Sequence, residues 1–268
     1  MGSSLPLIFI NERKVMNDRI IPTTDLRKLY SFFRFFSTKT QLAILGDYNR
    51  GKNYKKLVKI YSDSKKYFEQ YSNYEAFIEE GRNRSEVSAS ESSVFNSTKD
   101  VIAFFNQHDQ IKVENDDSLT FSYIEREIDP RRMTGAKYDD GSSGRSSGTG
   151  GIDFLAWNDN MKLPIIGEIK CKSDETPFFA LIQLLMYCSE MATESQVKRI
   201  NDTNLFKREI KLPYLLYIFL GDFNLGGKKG NFKKPLKTLI PKIVEDIDDI
   251  KDIIILDAKK ENNIINRL

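Results

Sequence analysis

Histidine and cysteine are scarce in this chain, and their scarcity excludes several kinds of active site. The sequence contains one histidine, His108, and two cysteines, Cys171 and Cys188. A single histidine excludes His-metal fingers, HNH-type nucleases and paired-histidine phosphodiesterases, because each of these sites needs more than one. Two cysteines without a Cys-x-x-Cys pair argue against a structural zinc site, and they are expected of a protein in the cytoplasm or another reducing intracellular compartment.

Signatures of nucleotide hydrolysis, of a serine hydrolase and of a membrane span are also missing. The sequence has no Gly-x-x-x-x-Gly-Lys-Ser/Thr loop, and no Gly-x-Ser-x-Gly elbow accompanies a triad built on His108. The longest apolar runs, such as Tyr214 to Leu220, are too short to cross a bilayer. The N-terminus lacks a secretory signal pattern. We therefore expect no membrane partner.

The excess of basic over acidic residues is small. The formal net charge is +3, so overall basicity does not predict a nucleic-acid partner, and local basic clusters would have to supply any attraction. Apolar residues make up 40% and charged residues 29%, which is typical of a globular chain with a true core. The length allows one large domain or two modest ones.

Two short apolar segments carry acidic residues and are predicted to be strands. Gly151 to Trp157 contains Asp153, and Pro164 to Lys172 contains Glu168. An Asn-Asp-Asn sequence between them is typical of a turn. The two segments are therefore predicted to form a hairpin in which Asp153 lies across from Glu168.

The second of these strands places a charged pair on one face. Glu168 and Lys170 lie on one face of the strand, whereas Ile169 and Cys171 lie on the other face, where they suit a hydrophobic core. The carboxylates of Asp153 and Glu168, with the backbone carbonyl of Ile169, form an oxygen-rich donor set suited to Mg²⁺. Lys170 can then hold the attacking water or stabilise negative charge developing on a phosphate.

The Glu-x-Lys pattern alone carries little information, because the chain contains it at Glu12, Glu168 and Glu209. On a solvated strand such a pair is an ordinary surface feature. Glu12 has no acidic strand before it, and Glu209 leads into a strand instead of a helix. Glu168 alone follows an acid-bearing strand and precedes an amphipathic helix, so its context favours a catalytic role.

The segment from Phe178 to Met191 is predicted to be a helix, and Gln183 and Tyr187 lie on one face of it because they are four residues apart. The order Asp, Glu-x-Lys, then a helix with Gln-x-x-x-Tyr resembles the PD-(D/E)XK nuclease superfamily. The Gln-x-x-x-Tyr spacing resembles the RecB-like exonuclease branch, in which these residues face the metal site and the DNA. A core helix with one buried amide and one tyrosine would show the same spacing.

The resemblance implies an α/β fold with a restriction-endonuclease-like core of α-β-β-β-α-β order, in which helices flank a mixed central sheet. It is carried by a nuclease-like domain over 86–268, which follows a mostly helical N-terminal region over 1–85. We assign the core to a helix at 91–108, strands at 119–128, 151–157 and 164–172, a helix at 177–192 and a strand at 213–220. A helix from Leu236 to Asp249 and a strand from Asp252 to Leu256 are predicted beyond this core.

Members of this superfamily often carry another acid near the metal. Glu91, on the first core helix, is the best-placed candidate here, and Glu125 and Glu127 on the strand at 119–128 are its rivals. The superfamily's usual Pro-Asp pair is absent, because Gly151-Ile152 precedes Asp153.

The N-terminal region begins with a predicted strand, Leu5 to Ile10, and Thr24-Asp25 is a predicted helix cap. Helices are predicted over 25–37 and 54–80, where aromatic residues alternate with basic ones. Such interleaving can bind nucleic acid, but an amphipathic helical bundle with solvated lysines has the same pattern. The basic residues of this region are Arg27, Lys28, Arg34, Lys39, Arg50, Lys52, Lys55, Lys56 and Lys59.

A Gly/Ser-rich segment, Asp139 to Gly151, ends two residues before Asp153 and is expected to border the site. It can order over nucleic acid with Arg145 against a phosphate, or it can be only a long hairpin connection.

The resemblance implies Mg²⁺-dependent hydrolysis of phosphodiester bonds, with DNA as the expected partner and Mn²⁺ as a substitute metal. Asp153, Glu168 and the Ile169 carbonyl hold the metal, Lys170 is catalytic, and Gln183 and Tyr187 support the site or contact the substrate. A role in genome defence or DNA processing suits such an enzyme. Two alternatives stay open: a nucleic-acid-binding protein on a decayed nuclease fold, and a helical protein-interaction module without catalysis. Endonuclease or exonuclease action, the choice of DNA over RNA, and the oligomeric state stay open as well.

Overall fold

A six-stranded mixed β-sheet lies at the centre of the chain. The computed structural model describes residues 26–33, 35–71, 92–128, 151–172 and 175–268. Within these residues the protein is α/β, with helices flanking the sheet. Several predictions fall outside the described residues, namely those for Leu5 to Ile10, Thr24-Asp25, Glu91 and Arg145.

The strands follow one another across the sheet in their order along the chain. Antiparallel pairing joins the first three strands, parallel pairing joins the third to the fifth, and the sixth returns antiparallel. The strands are β1 (Phe121–Ile128), β2 (Ile152–Asn158), β3 (Leu163–Cys171), β4 (Tyr214–Gly221), β5 (Ile250–Lys259) and β6 (Ile264–Arg267).

The helices flank both faces of the sheet. They are α1 (Leu26–Phe33), α2 (Thr38–Tyr48), α3 (Tyr54–Tyr71), α4 (Thr98–Asn106), α5 (Pro177–Met191), α6 (Glu194–Asp202), the four-residue α7 (Gly227–Gly230) and α8 (Lys233–Asp246). Buried residues of α1, α2, α3, α5, α6 and α8 belong to one hydrophobic cluster, and those of α4 belong to a second cluster on the opposite face of the sheet. We name the two faces of the sheet the α5 face and the α4 face.

The predicted hairpin is present, formed by β2 and β3. In its turn the side-chain oxygen of Asn158 accepts a hydrogen bond from the backbone N–H of Met161 at 2.7 Å. Gly167 pairs with Phe154, and a Cβ added to Gly167 would lie 2.0 Å from the Phe154 ring. The phenylalanine ring therefore occupies the space above the glycine, which allows the two strands to pair closely.

The N-terminal helices pack directly against α5. The rings of Tyr30 and Phe179 stack with centroids 5.0 Å apart, and those of Phe33 and Phe178 meet edge to face at 5.3 Å. The Tyr61 hydroxyl lies 3.4 Å from the Cys188 sulfur. These residues belong to the same buried cluster as the α5 face of the sheet, so the helices and the sheet share a core.

The element boundaries differ from the predictions in several places. The first core helix begins at Thr98, near the middle of the predicted 91–108, because Ser97 and Asp100 form a capping box there. The last helix begins at Lys233, before the predicted Leu236. Four elements were not predicted individually, namely α2, α6, α7 and β6. Among the described helices, none combines the length and the apolar character that crossing a bilayer requires.

Candidate active site

The candidate site lies where β2 and β3 separate. Backbone pairing between the two strands ends at Phe154 and Gly167. Beyond that pair, a side-chain oxygen of Asp153 accepts a hydrogen bond from the backbone N–H of Ile169 at 2.8 Å. The aspartate thus takes the place of a β2 carbonyl and ties the end of one strand to the other.

The three predicted catalytic side chains lie on the same face of the sheet. Asp153 lies on the same face of β2 as Leu155 and Trp157, because residues two apart in a strand share a face. Glu168 and Lys170 lie on the same face of β3 as Ile166 for the same reason. Leu155, Trp157 and Ile166 all belong to the cluster that contains α5. Asp153, Glu168 and Lys170 therefore meet beneath α5, whereas Ile169 and Cys171 belong to the opposite cluster, as predicted.

The carbonyl of Ile169 points toward the same opening. In a β-strand the N–H and the C=O of one residue are directed to the same neighbouring strand. Since the Ile169 N–H reaches Asp153, its carbonyl also faces the β2 side, where backbone pairing has ended. A backbone oxygen is therefore available beside the two carboxylates.

Lys170 is a buried ammonium surrounded by acids. Its Nζ lies 2.8 Å from Oε1 of Glu168 and 3.5 Å from Oε2 of Glu175, and 5.4 Å from the centroid of the Phe179 ring. Burial alone would lower the pKa of Lys170, but the carboxylates of Glu168, Glu175 and Asp153 outweigh it and raise this pKa. Lys170 therefore stays charged at neutral pH.

Glu168 is an acid whose pKa is strongly perturbed. Burial, followed by repulsion from Asp153, raises its pKa from 4.5 to about 8, against the lowering effect of Lys170. Its Oε1 faces Lys170, while its Oε2 is buried and lacks a hydrogen-bond partner within the described residues. A buried oxygen without a partner is costly, so this atom has a free coordination position.

Gln183 and Tyr187 lie on the side of α5 that faces these acids. The helix begins at the Thr176 cap, whose side chain accepts from the Phe179 N–H, and Pro177 occupies its first position. Burial, followed by Glu168 and further by Asp153, raises the pKa of Tyr187, and a hydrogen bond from Gln183 lowers it in part. The Tyr187 hydroxyl therefore lies near both carboxylates, hydrogen-bonded to Gln183.

Both residues of the Gln-x-x-x-Tyr pair are nevertheless buried, so their helix face does not line an open cleft. Gln183 is 6% exposed and Tyr187 is 1% exposed. The side-chain oxygen of Gln183 is buried without a hydrogen-bond partner in the part of the chain that is described. Two unsatisfied oxygens, one from Gln183 and one from Glu168, are thus contributed by the elements that enclose the site.

The additional acid proposed from sequence is not identified. Glu91 lies outside the described residues, and nothing is described of the Glu127 side chain. Glu125 is buried and pairs with Leu155, which places it on the α5 face, and it accepts a hydrogen bond from the Arg126 N–H at 3.0 Å. The carboxylates that raise the pKa of Glu168 are those of Asp153 and Glu175.

The donor set is compatible with Mg²⁺ although it is small. Within the described residues, no group of three or more His, Cys, Asp or Glu side chains is arranged to hold a metal ion. The side chain of Glu175 is 46% exposed, which leaves the half-buried Asp153 and the buried Glu168 as the two acids best placed to share an ion. Mg²⁺ commonly takes one or two carboxylates and completes its shell with water and substrate phosphate. The free oxygen of Glu168 and the carbonyl of Ile169 fit this preference.

Sequence reasoning missed three residues of the site, namely Tyr30, Glu175 and Phe179. Glu175 follows β3 in a connecting segment, where no spacing rule relates it to Lys170. Tyr30 reaches the site from a separate helix by stacking on Phe179. The aromatic run of residues 32–36 was a signal that α1 contributes to a core, but it did not indicate which one.

The basic residues predicted in the N-terminal region lie on the surface where they are described. Lys59 pairs with Asp63 at 2.5 Å, and Lys55 lies 3.7 Å from Asp246. Arg50, Lys52, Lys56 and Lys39 are exposed. Arg27, Lys28 and Arg34 are not among the residues whose side chains the structure describes.

Comparisons with known proteins give the site no further support. No family model matches this chain, and neither a curated protein nor a solved structure matches it.

Proposed function

We propose that this protein is a metal-dependent nuclease of the PD-(D/E)XK type that hydrolyses phosphodiester bonds in DNA. One observation carries the proposal: Asp153, Glu168 and Lys170 converge on one face of the sheet, and Oε2 of Glu168 is buried there without a hydrogen-bond partner among the described residues. The element order, in which a helix and three antiparallel strands precede α5 and β4, is consistent with that type of core.

Asp153, Glu168 and the Ile169 carbonyl would hold Mg²⁺, with Mn²⁺ as a substitute. When bound, a divalent ion supplies a water of lowered pKa and neutralises charge on the phosphate. Cation binding would also account for the unfavourable burial and mutual repulsion of the two carboxylates. The pKa of Glu168 is about 8 because burial and Asp153 oppose its charge, and a cation between the two acids would relieve that repulsion.

Lys170 has the stabilising role. Its ammonium is buried and stays charged because three carboxylates raise its pKa. A fixed positive charge in a water-poor site stabilises negative charge that develops on a phosphoryl oxygen more strongly than the same charge does in water. Its hydrogen bond to Glu168 and its contact with Phe179 fix its position before substrate arrives.

Gln183 and Tyr187 act as positioning residues for the carboxylates. The Tyr187 hydroxyl interacts with Glu168 and Asp153 and is held by Gln183. Gln183 and Tyr187 act on the acids from helix α5, whereas the backbone of β2 and β3 holds the acids from the sheet.

The test is a cleavage assay with matched variants. Linear and circular DNA, single and double strands, and RNA are incubated with Mg²⁺ and with Mn²⁺. Asp153→Asn keeps an oxygen for the Ile169 N–H but removes the charge, and Lys170→Gln keeps a donor for Glu168. Loss of such a preorganised group lowers the cleavage rate by about 100- to 1,000-fold or more.

The chain offers its own control in the exposed Glu209–Lys211 pair, which has the same spacing and a 3.8 Å separation. Lys211→Gln should cleave at the parental rate. If Asp153→Asn and Lys170→Gln cleave as fast as Lys211→Gln does, the activity arises elsewhere. Binding of nucleic acid without cleavage by the parent protein would indicate the decayed-fold alternative, and absence of both would indicate a protein-interaction module.

A further inference from the structure

The turn between α1 and α2 presents an aromatic side chain to solvent. Phe35 is 74% exposed and is the only large hydrophobic side chain found exposed among those that the structure describes. Its neighbours Phe33 and Phe36 are buried. The exposure is therefore specific to one position in a run of phenylalanines, whose other described members pack into the core.

The backbone that carries Phe35 is held on both sides. The Phe36 N–H donates to the Phe33 carbonyl at 3.1 Å, which closes the turn. The side-chain amide of the buried Gln41 donates to the carbonyls of Phe33 at 3.4 Å and Phe36 at 3.1 Å. An aromatic ring on a fixed turn loses little entropy when it binds, so it is suited to a contact.

The same hydrogen bonds connect this turn to the candidate active site. The Thr176 hydroxyl donates to the side-chain oxygen of Gln41. Thr176 directly follows Glu175, whose carboxylate lies 3.5 Å from the Lys170 ammonium. Phe33, two residues before Phe35, packs on Phe178 at the start of α5. The turn that carries Phe35 is therefore hydrogen-bonded through Gln41 to the start of α5, next to Glu175.

We propose that Phe35 stacks on an unpaired base of the DNA strand being cut, and that the enzyme prefers strands with unstacked bases near the scissile phosphate. This inference rests on the proposed nuclease function. A base within a duplex has both of its faces covered by its neighbours, whereas a single strand can offer a face to an aromatic ring. The exposed Lys39, four residues further on, supplies a positive charge for the backbone of the same strand.

The test separates the contact with the base from the contact with the phosphates. Fluorescence anisotropy is measured in EDTA, so that no cleavage occurs, on a mixed-sequence single strand, on the same strand made of abasic sites, and on a blunt duplex. Phe35→Ala should weaken binding of the base-bearing strand by a factor of about 5 to 150, the range of one lost stacking contact, and should leave binding of the abasic strand unchanged. Phe35→Trp should bind as well as the parent.

Two lysine variants serve as matched controls. Lys39→Ala should weaken binding of the base-bearing and abasic strands alike, because phosphates are present in both. Lys112→Ala, exposed between Ile111 and Val113 of the opposite cluster, should change neither. Since Phe35 is exposed, all of these variants should melt at the parental temperature.

The outcomes distinguish the stacking contact from the nuclease function. If Phe35→Ala binds both strands as the parent does, or weakens both equally, the stacking proposal is overturned, even where cleavage is intact. If stacking is observed but no metal supports cleavage, the stacking contact stands and the nuclease function fails. If Phe35→Ala changes only the sedimentation of the protein, the ring packs against a second copy of the chain, which also overturns the proposal.

Discussion

At the scale of single residues, we expect Glu168 to make the stability of the metal-free protein depend on pH. Its pKa is about 8 in the folded protein, because burial and Asp153 oppose its charge, against 4.5 as the ordinary value. The folded state thus holds this proton more tightly than the unfolded state does. The stability it contributes is fully present below the unfolded pKa and is lost as the pH rises to the folded one.

Urea unfolding in EDTA should therefore show a midpoint that falls between about pH 5 and about pH 8. Glu168→Gln, which cannot ionise, should flatten this dependence and be the more stable protein at the upper end. Mg²⁺ should stabilise the parent more at high pH than at low pH, since the metal binds the ionised acid. Parallel pH profiles for the parent and Glu168→Gln would show that another group is responsible.

Tyr187→Phe tests the positioning role of the α5 pair. The substitution removes the hydroxyl that Gln183 holds near the two acids. Because both side chains are buried, the variant should also lose about 1–3 kcal/mol of stability, the cost of a buried polar group left without its partner. Cleavage should fall about 10- to 1,000-fold, as should that of Gln183→Ala.

Tyr217→Phe is the matched control for this loss of stability. The Tyr217 hydroxyl donates to the Leu119 carbonyl at 3.1 Å, and Tyr217 belongs to the opposite cluster. This variant should melt earlier by a similar amount and cleave at the parental rate. Equal cleavage by both variants at a temperature where each is folded would mean that the α5 pair only fills the core.

The arrangement of the candidate site residues could be predicted from sequence to the extent that strand alternation dictates it. Alternation alone placed Glu168 and Lys170 together, and the turn at Asn158 brought Asp153 beside them. Burial could not be read in the same way. The helix spacing of Gln183 and Tyr187 is the same in an enclosed site and in an open cleft, and the depth of the pair depends on α1 and α3, which are distant in sequence.

At the scale of elements, the β2–β3 hairpin depends on the absence of a side chain at Gly167, because the ring of Phe154 packs over that position. A methyl group on Gly167 would lie 2.0 Å from the Phe154 ring, so Gly167→Ala must displace the ring or the strand. We expect a loss of about 1–3 kcal/mol in unfolding free energy, and reduced cleavage because Glu168 is the next residue. Thermal melts and the cleavage assay measure the two effects.

Adding Phe154→Leu to Gly167→Ala should recover part of the loss, so that the two substitutions are coupled in a double-mutant cycle. Gly46→Ala is the control, since an added methyl there meets nothing within 4 Å, and in helix α2 it should be neutral or stabilising. If the losses of unfolding free energy for Gly167→Ala and Phe154→Leu simply add, the Phe154 ring does not pack over Gly167 as proposed.

The elements themselves were predictable where an apolar pattern is strong. The strands β2, β3 and β4 and helix α5 follow their predicted ranges closely. Helix α6 was missed because its polar and charged residues mask the stripe formed by Ser195, Arg199 and the apolar Ile200. Strand β6 was missed because four residues at a sheet edge carry too little alternation to stand out.

At the scale of the whole molecule, the division into residues 1–85 and 86–268 stays a prediction, but the packing indicates how it would behave. Helices α1 and α3 cover a surface of α5 that includes Phe178, Phe179 and Cys188. A fragment of 86–268 would expose that surface. We expect such a fragment to keep strand content by circular dichroism, to bind a hydrophobic dye and to melt without cooperativity.

Adding the separate 1–85 fragment should restore part of the cooperative transition if the shared core is decisive. A fragment of 86–268 that melts sharply near the temperature of the full chain would instead identify that range as an independent domain. The contact between the Tyr61 hydroxyl and Asp249, at 3.0 Å, offers a milder probe, because Tyr61→Phe loosens the same junction without deleting a helix.

The order of the strands has a consequence for synthesis on the ribosome. Because each of the six described strands lies beside the one made just before it, none of them has to wait for a partner encoded far downstream. The hairpin of β2 and β3 needs only a short turn to close, so it can form while β4 is still being translated. The acids of the site can then be brought together early, and α5, the next element to emerge, can pack over them before β4 is available.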